Sequence, residues 1–191
     1  MSRSLDTQEL LGRLREETAS PEEKKRLLMA MDALQFIYNM GLTRDFEAYL
    51  EDVEAKGPPL VIAAFDTREE ADAWLKHHPR PPDHAYVLIA GEYHIVMYIP
   101  ERNHRRLVPH PILKFYLEEM VHDGLPAPVA TFATREEAEA WLHAQPEPPR
   151  QVFIQIGGEH YLAAYHHRLN LRALYPASRA AKSVQPEEPG A

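Results

Sequence analysis

Phe65-Asp66-Thr67-Arg68-Glu69-Glu70-Ala71-Asp72-Ala73-Trp74-Leu75 returns later in the chain as Phe132-Ala133-Thr134-Arg135-Glu136-Glu137-Ala138-Glu139-Ala140-Trp141-Leu142. The copies lie 67 residues apart, and the spacing holds outward from them without a gap. Pro79, Pro81 and Pro82 match Pro146, Pro148 and Pro149; Gly91-Glu92 matches Gly158-Glu159; Tyr98 matches Tyr165. Asn103, Arg105, Leu107 and Pro109 match Asn170, Arg172, Leu174 and Pro176. The second half of the protein is therefore a tandem duplication of an earlier segment.

Each copy reads the same way. A short apolar strand, residues 60–65 or 129–132, leads into a helix. Thr67 with Glu70, and Thr134 with Glu137, have the spacing of a capping box, and Ala71, Trp74 and Leu75 form an apolar helical stripe. A Pro-rich link ends the helix. Strands at 86–90 and 93–99, and at 152–156 and 160–165, flank Gly91-Glu92 and Gly158-Glu159. A two-residue turn with Gly at its first central position suits a type II′ hairpin. The unit is β-α-β-β. Three strands and one helix bury little alone, so the copies are expected to pack together, as one extended sheet or as two. Between them, Pro111 opens a helix with Leu113, Tyr116, Leu117 and Met120 on one stripe, and Gly124 follows its end.

The first 57 residues read as helices. Leu10, Leu11 and Leu14 line one side of the first. Ser20-Pro21-Glu22-Glu23 gives an N-cap, a proline at the first helical position and acids in the first turn. Leu27, Met31, Leu34 and Tyr38 follow at helical spacing up to Gly41. Thr43 is placed to cap a third helix with Phe46, Tyr49, Leu50 and Val53 on one face. The expected fold class is α+β: an N-terminal helical segment (1–57), a first repeat (58–109), a connecting helix (110–124), a second repeat (125–176) and a disordered tail (177–191).

Composition narrows the function. The chain has no cysteine, which excludes disulfides, thiolate zinc sites, iron–sulfur clusters and a cysteine nucleophile. A net charge of −8 is the wrong sign for nucleic-acid binding, where phosphate neutralisation supplies much of the affinity. No apolar leader follows Met1, and runs such as 95–99 are too short to span a bilayer; a cytoplasmic protein with no membrane association is expected. His160, His166 and His167 cluster, but their counterparts are Tyr93, Ile99 and Pro100, no carboxylate stands at a recognisable ligand spacing, and no H-E-x-x-H motif occurs. They read as surface histidines, and no metal or cofactor is expected. Glu69-Glu70 and Glu136-Glu137 belong to capped helix starts. Gly157-Gly158 is a hairpin turn rather than a phosphate loop. No catalytic constellation is present, and the chain reads as a non-enzyme.

The candidate binding residues are Tyr98, Asn103 and Arg105 with their copies Tyr165, Asn170 and Arg172. On irregular segments they would make two equivalent patches. They also fit a structural role, in which Asn turns the chain and Arg pins it to a helix end or an acid, and this is the favoured reading.

The stretch Leu10-Leu11-Gly12-Arg13-Leu14-Arg15-Glu16-Glu17, Ser20-Pro21-Glu22-Glu23, the paired Phe-x-Thr-Arg-Glu-Glu-Ala-x-Ala-Trp-Leu motifs and the closing Tyr161-Leu162-Ala163-Ala164-Tyr165-His166 resemble a family of paralogous proteins from myxobacterial genomes. The resemblance covers nearly the whole chain. It implies an immunity partner of a polymorphic toxin, which neutralises it by occlusion, and it carries no site residues with it. The acidic charge suits a basic toxin domain as partner; a homodimer is a further expectation. The alternative is a ligand- or metal-sensing regulatory domain with a pocket between the repeats.

Overall fold

Local signals set the element boundaries of this computed structural model, which describes residues 3–181. The chain divides after Glu54 into two units.

The first unit holds α1 (Arg3–Glu17), α2 (Pro21–Asn39) and α3 (Thr43–Glu54). Ser20 caps α2 by accepting the Glu23 N–H, and the Thr18 hydroxyl donates to the Glu23 carboxylate. At its other end Gly41 has φ +70, the Gly41 N–H reaches the Tyr38 carbonyl, and the Leu42 N–H reaches the Ile37 carbonyl. These two bonds are the Schellman pair, and glycine takes the left-handed position at no steric cost. Thr43 is not the cap that its type suggested: α3 begins at Thr43, and the Leu42 carbonyl accepts the Phe46 N–H. Arg3 and Glu54 pair at 2.7 Å. Leu11, Leu27, Met31, Leu34, Phe46 and Leu50 are half-buried, and none of the three helices has a buried residue.

The second unit contains both repeats. The first is β1 (Ala63–Phe65), α4 (Arg68–His77), β2 (Tyr86–Ile89), β3 (Glu92–Ile99) and β4 (His104–Pro109), followed by α5 (Ile112–Met120). The second is β5 (Thr131–Phe132), α6 (Arg135–Ala144), β6 (Gln151–Ile156), β7 (Glu159–His166) and β8 (Leu171–Pro176), followed by the short α7 (Ser178–Ala181). Each forms a four-stranded sheet in sequence order, parallel at its first pair and antiparallel thereafter. Thr67 and Thr134 cap α4 and α6 by accepting from Glu70 N–H and Glu137 N–H. In return the Glu70 and Glu137 carboxylates accept the Asp66 and Ala133 N–H.

Three expectations need correction. The repeat is β-α-β-β-β, because residues 104–109 and 171–176 are strands rather than irregular segments. Their alternation, with Leu107 and Leu174 inward, is the period of a strand. One turn of 3₁₀ helix and an Asn in the left-handed region (φ +46 at Asn103, +49 at Asn170) connect each to the strand before it. Second, the hairpin turns are centred on Ala90-Gly91 and Gly157-Gly158, since Ile89 pairs with Glu92 and Ile156 with Glu159. All four central residues have positive φ, the signature of type I′ rather than II′. Third, the expected disordered tail does not begin at Ala177: Ala177 and Ala180 are buried in the core. Residues 182–191 lie outside the described residues.

Three apolar clusters hold this unit. Ala71 and Leu75 of α4 pack on Val87, Ile89, Val96 and Leu107; Ala138 and Leu142 of α6 pack on Ile154, Ile156, Ala163 and Leu174. The opposite faces of the sheets share a third cluster, in which Leu88 and Tyr93 meet Phe153, Leu162, Ala164 and Tyr175 around Leu113 and Leu117 of α5. The two sheets are therefore separate and joined through their inner faces. The duplication extends past the strands: His110 N–H bonds the Tyr93 carbonyl as Ala177 N–H bonds the His160 carbonyl. The position of α5 after β4 thus corresponds to that of α7 after β8.

Ala90 sits at φ +49, where its counterpart Gly157 is at φ +56. Ala90→Gly is expected to stabilise the protein by some tenths to about 1 kcal/mol, and Gly157→Ala to destabilise it by a similar amount. Urea unfolding of both variants checks this.

Candidate functional site

Tyr98, Asn103 and Arg105 are brought together by the β3–β4 connection. The Arg105 Nε donates to Asn103 Oδ1 at 3.0 Å, and its guanidinium stacks over the Tyr98 ring at 5.5 Å. Its Nη1 donates to the carbonyls of Leu75, Lys76 and His78 at 2.8–2.9 Å. These are carbonyls at the C-terminal end of α4, where the helix leaves acceptors unpaired and favours a cation. Arg105 is a helix clamp. Its copy is looser. Arg172 stacks over Tyr165 at 5.2 Å and reaches Asn170 Oδ1 at 3.4 Å, and its Nη2 donates to one carbonyl, Gln145, at 3.2 Å. The Arg172 Nε is sealed from solvent and has no hydrogen-bond partner among the described residues. The Tyr165 hydroxyl instead donates to Asn170 Oδ1 at 3.1 Å.

The two triads do not share a pocket. Asn103 and Arg105 line a shallow surface hollow with Asp72 and Lys76. Arg172 alone of the six lines a different cavity, a cleft of about 570 Å³ between the repeats. One wall of the cleft is Ala64, Phe65, Asp66, Leu88 and the Ala90-Gly91 turn. The other is β8 with Tyr161, Arg135 and Arg179. Its size falls in the range of small-molecule sites. Sequence reasoning missed Arg135, Arg179 and Tyr161. Arg135 was absorbed into a helix start, and Arg179 lay in the supposed tail.

The expectation of surface histidines fails at His166, which is buried on the inner face of β7, while His167 is exposed. His166 Nε2 shares a 3.0 Å hydrogen bond with the Tyr175 hydroxyl, and its ring lies 6.2 Å from that of Tyr93. Burial lowers the His166 pKa to about 4. Burial likewise raises the phenols of Tyr93 and Tyr175, and the Tyr93 hydroxyl donates to the Pro59 carbonyl at 3.0 Å. Both rings stay neutral near neutral pH, so this cluster is a packed polar junction between the sheets. Among the described residues, no three His, Asp or Glu side chains converge as metal ligands. The Glu136 carboxyl is held below its usual range by the backbone N–H at the start of α6 and by the Thr134 hydroxyl, as a capped helix start requires.

Against known protein families, curated proteins and solved structures, the chain has no match. No described helix is long and apolar enough to cross a membrane.

Arg105→Ala is expected to cost about 2 kcal/mol, because three carbonyls lose a charged donor. Arg172→Ala should cost less, and Arg105→Lys should recover little, since an ammonium cannot reproduce the fork. Denaturant unfolding of the three variants ranks them. For His166, folded chains refuse a proton that unfolded chains accept below about pH 6.5. Stability is therefore full above that pH and falls as pH drops toward 4, by on the order of 2 kcal/mol at pH 5. The slope between pH 6.5 and 5 should flatten in His166→Phe, measured by urea unfolding at each pH.

Proposed function

We propose that this chain is a non-enzymatic protein-binding module whose partner is a basic protein domain, and that it acts as an immunity protein by occluding a toxin. One observation carries this reading: none of the three N-terminal helices contains a buried residue, while large apolar side chains stand in solvent. Met29 is 76% exposed, Tyr38 64%, Phe36 61% and Val53 55%. Apolar surface on this scale is the usual mark of a surface that docks another protein. The same segment, residues 1–54, carries twelve acidic and seven basic side chains. A segment that combines excess acid with exposed apolar anchors suits a basic partner, since complementary charge raises the association rate and rejects wrong partners. Occlusion needs no chemistry from the module. Affinity would come from a few aromatic and apolar anchors. The resemblance to immunity proteins of polymorphic toxins supplies the biological setting, and a cytoplasmic location goes with it.

Affinity purification of the tagged protein from its native host tests this. One basic toxin domain should be recovered stoichiometrically, Met29→Asp with Phe36→Asp should abolish its capture while leaving the fold intact by circular dichroism, and deletion of the gene should kill the host. Recovery of the protein bound only to itself, with a viable deletion strain, would overturn the reading.

A further inference from the structure

The two copies of the repeat use the same pair of arginines differently. In the first copy both are committed. Arg105 is consumed by Asn103 and three α4 carbonyls, and Arg68 bridges Asp72 at 3.0 Å and the Leu107 carbonyl at 3.2 Å. That second bond matters, because it covers an outward-facing carbonyl on the open edge of β4. In the second copy the counterparts are released. Among the described residues Arg135 holds Glu139 at 2.7 Å and no strand carbonyl, and Arg172 bonds one helix carbonyl where Arg105 bonds three, its Nε unpaired and sealed from solvent. The outward edge of β8 at Leu174, the position matching Leu107, has no guanidinium on it among the described residues.

These changes fall where the cleft between the repeats opens. Arg179, on the short helix α7, is a third arginine on its wall, with no arginine at the matching position: Ile112 stands there in the first copy. Arg135 and Arg179 therefore stand on the lining of a cavity that contains a single carboxylate, Asp66, while the Arg172 guanidinium stays at the end of α6 on the Gln145 carbonyl. Arg135 and Arg179 do have carboxylate neighbours, Glu139 and Glu92, each at 2.7 Å. Both pairs are partly exposed, and such pairs contribute little. A guanidinium has five donors and each of these pairs engages one or two, so the remaining donors are open to a second acid. The opposite wall is apolar at Phe65 and Leu88, and Tyr161 adds an aromatic ring on the arginine side.

We propose that this cleft binds a small organic anion, its carboxylate or phosphate held by Arg135 and Arg179 and its apolar body resting on Phe65, Leu88 and Tyr161. Guanidinium groups favour both acids for the same reason, a planar fork that matches two oxygens at once. The outward backbone groups of Leu174 provide further hydrogen bonds to a polar substituent. The site is independent of the helical face that carries the protein-binding reading, and its failure leaves that reading untouched.

The full-length protein, labelled with ¹⁵N, is titrated with phenyl phosphate, 3-phenylpropionate and benzyl alcohol while amide shifts are followed. At least one of the two anions should saturate with a dissociation constant below about 1 mM. The shifts should concentrate on Asp66, Gly91, Leu174 and Arg179, and benzyl alcohol should not saturate. Whichever anion binds more tightly identifies the acid group. Arg135→Gln and Arg179→Gln, both at accessible positions, should each weaken binding at least about tenfold, whereas Arg68→Gln in the first copy should leave it unchanged. The proposal is overturned if neither anion saturates, if the neutral alcohol binds equally well, or if Arg68→Gln weakens binding as much as Arg135→Gln.

Discussion

A small sheet with a helix on one face leaves its other face bare, and that constraint governs the two-repeat unit. Helices α4 and α6 satisfy one side of each sheet. The other side of the first sheet presents Leu88 and Tyr93, and that of the second presents Phe153, Leu162, Ala164 and Tyr175. The trailing helix of the first copy, α5, brings Leu113 and Leu117 between them, whereas that of the second, α7, is a single turn. Joined around Leu113 and Leu117, the two faces become one dry interior in which Leu117 and Leu162 have no solvent exposure. Burying a leucine side chain is worth about 1.5–3 kcal/mol, so this shared seam is a large fraction of what holds the unit. Two of the polar groups trapped in it are paired, Tyr93 to the Pro59 carbonyl and His166 to Tyr175. Unpaired, each would cost as much as a buried leucine contributes.

Duplication made the two sheets, and divergence made them unequal. Ile99 and His166 occupy the same position in the two copies, yet the isoleucine is 40% exposed and the histidine is buried. Arg105 clamps a helix with three bonds where Arg172 has one. The helix after the third hairpin strand spans Ile112–Met120 in the first copy and Ser178–Ala181 in the second. Functional asymmetry follows from such differences. The wall of the cleft that comes from the second copy carries Arg135, Arg172 and Arg179, and Ile112 stands at the position matching Arg179.

Features settled within a few residues were legible in the sequence. The boxes at Thr67-Glu70 and Thr134-Glu137, the proline after Ser20 and the glycine after α2 each act through neighbours in the chain, and each stands where its residue type placed it. The strands β4 and β8 were harder. Arginine, histidine and proline make up four of the six residues of β4, and in both strands the period-2 alternation lasts only six residues. Thr43 shows the limit of cap preference, since the chain enters α3 with Leu42 at the capping position. His166, Ala177 and Arg179 were misjudged for another reason: their burial or exposure depends on elements 20 to 90 residues away, to which local pattern is blind. The residues of each candidate triad do stand together in the fold, and Arg105 joins its strand to the end of α4. A pocket between the repeats stood only as an alternative reading, and its lining could not be named, because its walls join only in the folded unit.

The shared seam also bears on how the protein arose. A single ancestral repeat, with an inner face like that of β2 and β3 and nothing to lay on it, would have needed a twin. The simplest partner is another copy of itself, the two inner faces meeting about a twofold axis with their trailing helices side by side. Fusing two such genes would have converted a concentration-dependent assembly into one chain. Only after that step could the halves drift apart, since in a symmetric pair every substitution appears twice.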